Sequence, residues 1–397
     1  MKQFIYILAA VAMAMADETS VQNLLAKGNN KFSASMFNEV AKLNPGKSVV
    51  MSGFSAMSPL AELGLASAGV SHDQILDIIG MPNDNATKEV FSYVSKDLRS
   101  VKGVELKIAN SIYIPTGYEL NEEFGAVSRD VFGSEVRQLD FTKSEEAAKT
   151  INTWVEDNTN KRIKDLVSPD SLGPDTRSVL VNAIYFKGSW KDKFDSKMTA
   201  DRDFHVTKDK TIQVPTMFKN GDFKFGYSEE LDAKLLEIFY EGDEASFLIV
   251  LPNQIDGITS LEEKLKDPSA LVKATENMHT TEVDVYLPKF KIETTIDLKD
   301  VLEKMGITHL FSPSTARLEK LLKNVDGGLY VSNAIQKAFI EVNEEGAEAA
   351  AASAFGVVAT SFVIRETPRF EADHPYMFFL KQKENVLFTG AVNFQDN

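Results

Sequence analysis

Cysteine is absent from all 397 residues. Disulfides, thiolate zinc sites, iron–sulfur clusters and cysteine nucleophiles are therefore excluded together. Histidine is scarce. His72, His205, His279, His309 and His374 lie too far apart for HExxH or any other short metal-ligand pair, so no metal is expected. The phosphate loop GxxxxGK[ST] and the nucleophile elbow GxSxG are both missing. A Ser-His-Asp set assembled from distant residues leaves no pattern to read, and carboxylate pairs among 58 acids carry no information. The chain reads as no enzyme and needs no cofactor. Positive charge is in deficit, with Lys plus Arg at 43, a net charge of −15 and a pI near 5.0. An acidic surface repels phosphate and sulfate backbones, which argues against nucleic acid and heparin-like polyanions as partners. Repeats and low-complexity tracts are missing, and no stretch beyond the first residues approaches the ~18 apolar residues of a membrane span.

What is present is an ordinary globular mixture, 43% hydrophobic and 25% charged, long enough for two or three domains or one large core. Residues 1–16 (MKQFIYILAAVAMAMA) combine Lys2, an apolar run and Ala14-Met15-Ala16 before Asp17. This is the pattern of a secretory signal peptide, which predicts a secreted, soluble protein spanning 17–397. Asn85-Ala86-Thr87 is a glycosylation sequon in what reads as a polar loop. Apolar residues recur at helical spacing from Leu25 to Leu43 and stop at Pro45-Gly46; Val49–Ser52 reads as a strand and Ser58–Ala68 as a helix. Later segments read as strands. Val179–Phe186 and Phe247–Leu251 are short apolar runs, Thr281–Ile292 alternates, and Tyr376–Leu380 with Val386–Val392 suggest a hairpin across Lys381–Asn385. A helical first part before a strand-rich remainder, without βαβ alternation, predicts an α+β fold with a large mixed or antiparallel sheet and a single domain.

One segment fits neither element. Residues 344–363 are Ala-rich in their first half and β-branched in their second. Large core-filling residues are missing from Gly346 to Ala354. A run of small side chains can enter a packed sheet as an extra strand, with Gly346 as the hinge. In such a strand Ala347, Ala349, Ala351 and Ser353 share the inward face, while Glu348, Ala350 and Ala352 share the solvent face.

Glu344-Glu345-Gly346-Ala347-Glu348-Ala349-Ala350-Ala351, preceded by Ile335–Asn343, closely resembles the hinge of inhibitory serpins. Asn182–Trp190 (NAIYFKGSW), Leu287-Pro288-Lys289-Phe290, Asp297-Leu298, Met305-Gly306-Ile307, Asp373–Phe378 and Leu387–Gly390 are similar to further family motifs. The matches run from about residue 30 to the end, with a lepidopteran flavour. Three positions depart from the pattern: Gly53 stands in place of Pro, Gln336 in place of His, and Tyr376 in place of Phe. The resemblance implies the serpin fold, with a helical N-terminal part, a large central mixed sheet, further sheets and an exposed reactive loop at about 344–373. It implies a monomeric suicide substrate whose cleaved loop inserts into the main sheet and traps a serine protease. The hinge would comprise Glu344, Gly346, Ala347, Glu348, Ala349, Ala350, Ala351 and Ala352. Ser52, Ser55, Asn182 and Gln336 would latch the central strands, and Trp190 would mark the top, where the loop enters. Family spacing places the scissile bond fourteen residues past Gly346, at Thr360-Ser361. A small residue there suits an elastase-like protease. A shifted bond would expose Phe362 to a chymotrypsin-like enzyme or Arg365 to a trypsin-like one. A cysteine protease target and a non-inhibitory carrier or storage role are the competing readings. In an insect such a protein would circulate in haemolymph.

Overall fold

The structure, a computed structural model, describes residues 2–97, 103–323, 328–347 and 367–395, with the side chains of 2–18, 96, 97 and 347 left aside. Leu25, Phe32, Met36, Phe37 and Val40 are buried along one stripe of helix α1 (Lys2–Leu43), which stops ahead of Pro45-Gly46 as the spacing predicts. Strand β1 (Val49–Met51) leads into α2 (Gly53–Ala66), capped by the Ser52 hydroxyl, which accepts the Ser55 N–H. Helices α3 (Gly69–Ile79) and α4 (Asp84–Asp97) complete the helical first part. The sequon is not in a loop: Asn85 occupies the first turn of α4, and Thr87 is buried with its hydroxyl donating to the Asn83 carbonyl at 2.8 Å. Asn83 Oδ1 accepts the Ala86 N–H, so the polar residues that read as a loop are a helix start.

The rest alternates between strands and short helices: β2 (Val104–Pro115), α5 (Glu122–Val127), a π-helical turn (Ser128–Phe132), β3 (Val136–Leu139) and α6 (Ser144–Asn158). Four strands follow α6 and β4 (Val179–Ser189): β5 (Ala200–Thr207), β6 (Lys210–Ser228), β7 (Ala233–Phe239) and β8 (Ala245–Pro252). Next come α7 (Ile258–Lys264), α8 (Pro268–Glu276), β9 (His279–Pro288), β10 (Phe290–Asp297) and α9 (Leu298–Lys304). The chain closes with β11 (Asn333–Val342), β12 (Gly346–Ala347), β13 (Arg369–Glu371), β14 (Tyr376–Gln382) and β15 (Asn385–Val392). The expected hairpin is β14–β15, turning tightly at Lys383-Glu384 with Lys383 in the left-handed region (φ 52°). Thr281–Ile292 is not one strand. Pro288 ends β9 in one sheet, and Phe290 begins β10 in the other. No helix among the described residues is long and apolar enough to cross a membrane.

Among the described residues the strands form two sheets. Nine make a sheet ordered β1-β15-β14-β8-β7-β6-β9-β13 with β5 on β6; the other runs β10-β11-β4-β2-β3 with β12 on β4. The central strand β4 is buried on both faces, whereas edge strand β10 exposes every second residue. Leu180, Ile184 and Phe186 of β4 join the large core that includes α1, α2 and the nine-stranded sheet. Val179, Val181, Ala183 and Tyr185 point the other way, into a smaller core with Ile151 and Val155 of α6. Both faces of β4 are therefore covered along this stretch.

Candidate functional site

The centre of the six-stranded sheet is a parallel seam. Strand β11 pairs with β4 from Asn333↔Val179 to Phe339↔Tyr185, which brings Gln336 beside Asn182. All four residues expected to latch the strands meet here. Gln336 Oε1 accepts the Ser52 N–H at 3.0 Å, and its Nε2 donates to the Ser52 carbonyl at 2.8 Å and to Asn182 Oδ1 at 2.5 Å. Ser55 Oγ donates to Asn182 Oδ1 at 2.9 Å, while Asn182 Nδ2 donates to the Ser55 carbonyl at 3.1 Å and to Asn110 Oδ1 of β2. Every amide hydrogen of Gln336 and Asn182 finds an acceptor, so a fully buried polar cluster is tolerated. Gln336 thus replaces the family's His with a side chain that cannot titrate, and the network stays whole. Gly53 is explained as well, because a Cβ there would lie 2.3 Å from Ser33 Oγ and 2.8 Å from Ser33 Cα of α1.

At the upper end of the seam the strands part and the chain doubles back. Residues 343–346 close a tight turn through Gly346 N–H to the Asn343 carbonyl at 3.1 Å and Asn343 N–H to the Gly346 carbonyl at 2.9 Å. Beyond it Gly346 and Ala347 form β12, antiparallel to Ser189 and Gly188 of β4. Gly346 has φ +130°, and a Cβ would fall 2.1 Å from the Gly188 carbonyl, so only glycine fits. Trp190 holds this turn from beneath. Its indole N–H donates to the Asn343 carbonyl and its backbone N–H to the Glu345 carbonyl, both at 2.9 Å, and its ring stacks on Tyr240 at 4.5 Å.

The two hinge acids are clamped from different elements. Lys289, between β9 and β10, lies 2.9 Å from Glu344, Thr199 donates to the same carboxylate at 2.8 Å, and Lys193 pairs with Glu345. Burial pushes the Glu344 carboxyl toward its neutral form, but the Lys289 ammonium and the Thr199 hydroxyl outweigh it and hold its pKa below the usual value. Glu348, Ala349, Ala350, Ala351, Ala352, Thr360, Ser361, Phe362 and Arg365 lie outside the described residues.

Sequence reasoning missed Asn110, Lys289, Thr199 and Asn343. Asn110 lay outside the motifs that carry the resemblance, which is how Asn182 was found. Lys289 stood inside the Leu287–Phe290 motif without an assigned role and Thr199 carried no local signal, since their partner is more than fifty residues away. Among the described residues no group of three or more His, Asp or Glu could hold a metal ion.

The chain matches a family model described as serpin (serine protease inhibitor) over residues 27–394. It is 58% identical over 392 residues to alaserpin of Manduca sexta, with 99% of each chain covered. Antichymotrypsin-2 of Bombyx mori is 56% identical, covering 94% of this chain and 99% of that protein, and Bombyx mori antitrypsin is 54% identical, covering 98% and 99%. The crystal structure of Serpin48, a highly specific serpin of the insect Tenebrio molitor, superposes with a TM-score of 0.86 at 36% identity over 94% of this chain and 98% of that one.

Proposed function

This chain belongs to the serpin family, and on that premise we propose that it is a secreted suicide-substrate inhibitor of an elastase-like serine protease. One observation carries the reading. Gly346 and Ala347 already lie as the first two residues of an antiparallel strand on β4, directly above a seam that is closed over Asn333–Phe339. A chain continuing from Ala347 in the same direction would enter between β4 and β11 only by parting that seam. In the proposed reaction the protease's serine hydroxyl adds to the Thr360 carbonyl carbon. The Thr360–Ser361 bond breaks, the Ser361 amine leaves with a proton, and Thr360 stays esterified to the protease. Release of the Ser361 end frees the Gly346–Thr360 segment to add a strand between β4 and β11, carrying the protease with it. Insertion of a cleaved serpin loop is the general example of this mode of strand addition.

The specificity assignment rests on Thr360 itself, whose small β-branched side chain suits a shallow pocket. Relatives of nearly equal identity are named for chymotrypsin and for trypsin, so overall similarity does not set the target. Incubation with a protease panel, followed by denaturing gel electrophoresis and mass spectrometry, tests the reading. The expected result is a stable covalent band with an elastase-like enzyme and a released peptide starting at Ser361. A start at Val363 or Glu366 would move the bond and overturn the elastase assignment; cleavage without any covalent band would make the protein a non-inhibitory carrier or a plain substrate.

A further inference from the structure

Glu62 is fully buried in the middle of α2, and among the described residues no cation stands beside it. Its partners are two hydroxyls: Ser128 Oγ donates to Oε1 at 2.5 Å, and Ser134 Oγ donates to Oε2 at 2.6 Å. Ser128 opens the π-helical turn, and Ser134 stands just ahead of β3. The next residue's carbonyl, that of Glu135, accepts the Ser111 hydroxyl of β2. One carboxyl group therefore fastens α2 to the β2–β3 edge of the six-stranded sheet.

The charged groups on the surrounding elements are engaged elsewhere. Arg129, Asp130, Glu135, Lys88 and Glu89 are exposed, His72 of α3 binds Asp73 and Asp84, and Glu105 pairs with Lys107 on β2. None of them contributes to the proton affinity of Glu62. Burial raises its pKa, the two serine bonds lower it by less, and it stands at about 7. The neutral acid is accommodated with the heavy atoms in place. Its O–H can donate to Ser128 Oγ, whose own hydrogen then turns to the Ser134 carbonyl at 3.1 Å. The ionised form keeps both serine bonds but remains a buried charge without a counter-ion.

Helix α2 also carries Ser55, which binds Asn182 at the seam. If β4 parts from β11 by moving with β2 and β3, that half of the sheet shifts across α2. Polar ties oppose that shift at two places, the bonds of Asn182 to Ser55 and Gln336 at the seam and the Glu62–serine clamp, and only the clamp contains a titratable group. We propose that Glu62 is a proton-operated tether: neutral, it holds the β2–β3 edge closed on α2; ionised, it favours the shift that gives its carboxylate water. The consequence for inhibition rests on the insertion reading above, whereas the tether does not.

The test compares the full-length protein with Glu62→Gln, which keeps the shape and the hydrogen-bonding capacity, from pH 5.5 to 8.5. Hydrogen exchange of the β2 and β3 amides, corrected for its intrinsic pH dependence, should quicken about tenfold between pH 6 and 8 in the wild type and stay flat in the variant. Equal pH profiles would overturn the tether. Ser134→Ala removes a donor to the ionised form and should move the same transition to higher pH, a shift that a merely structural role would not produce. Exchange needs no protease, so this arm stands even if the protein inhibits nothing. With a protease that forms the covalent band, the stoichiometry of inhibition should fall as pH rises in the wild type but not in Glu62→Gln; parallel curves would overturn the coupling to insertion.

Discussion

Tyr376 is fully buried in β14, and its hydroxyl has no hydrogen-bond partner among the described residues. An unpaired buried hydroxyl loses its water without compensation, so Tyr376→Phe should stabilise the protein by about 1 kcal/mol in denaturant unfolding. A loss of stability would mean that the hydroxyl is satisfied and that this departure from the family pattern has a structural use. Glu344 makes the opposite case. Its folded pKa lies below the unfolded value, so its contribution is present above about pH 4.5 and disappears as the pH falls through the folded value. Glu344→Gln should cost about 0.5–1 kcal/mol at pH 7, a modest figure because Lys289 is partly exposed. The difference from the wild type should shrink as the pH falls below the unfolded value of about 4.5, which unfolding curves at neutral and acid pH would check.

At the scale of elements, β12 sets a register that can be carried forward. Continuing from Gly346↔Ser189 and Ala347↔Gly188 places Glu348 opposite Lys187, Ala349 opposite Phe186, Ala350 opposite Tyr185 and Ser353 opposite Asn182 in an inserted strand. Phe186 belongs to the large core and Tyr185 to the core under α6, so both faces demand small side chains at positions 349 and 350. Ala349→Arg and Ala350→Arg should each turn inhibitor into substrate, because insertion races hydrolysis of the acyl-enzyme and about 1.4 kcal/mol in its barrier slows it tenfold. Glu348→Arg meets half-buried Lys187 and should lose only a little, with Lys187→Glu restoring it. The ratio of covalent complex to cleaved protein measures all three; if Ala350→Arg inhibits like the wild type, the register is wrong. The same contrast shows what was legible in the sequence. Helix and strand runs and the β14–β15 hairpin were readable because each leaves a local mark, whereas the Ser52-Ser55-Asn182-Gln336 set, scattered over more than 280 residues, was reached only through the family resemblance. The split at Pro288, the helical start at Asn85 and the α6 cover over β4 were not. The start at Asn85 is a local cap whose polar residues also suit a loop; the other two are decided by where a distant segment packs, and the sequence pattern of a strand buried on both faces does not say what covers it.

For the molecule as a whole, the absence of cysteine acquires a mechanical meaning. No disulfide fastens β4 to β11, so the closed seam depends on its ladder and on the Gln336–Asn182 cluster. A loop held outside a sheet that could accept it leaves the native state short of a full strand of backbone bonds. Cleavage near Thr360 should supply that strand, adding roughly ten backbone hydrogen bonds at about 1 kcal/mol each. An ordinary protein nicked in an exposed loop gains nothing and usually loses some stability, because the unfolded chain gains freedom. Here the thermal midpoint should rise by about ten degrees or more after cleavage. Calorimetry before and after treatment with a protease that cuts the loop but leaves no covalent band measures this directly. An unchanged or lower midpoint would show that the segment does not enter the sheet, and the seam between β4 and β11 would then be a fixed feature of the fold and not a gate. Glu62→Gln adds a second check on the same quantity. Its folded pKa of about 7 lies above the unfolded 4.5, so its stabilising contribution is whole below about pH 4.5 and is lost as the pH rises to about 7. The native midpoint should therefore decline across that window in the wild type more steeply than in the variant. If the inserted strand shifts the β2–β3 edge and gives Glu62 water, the cleaved form should show the smaller difference between the two proteins.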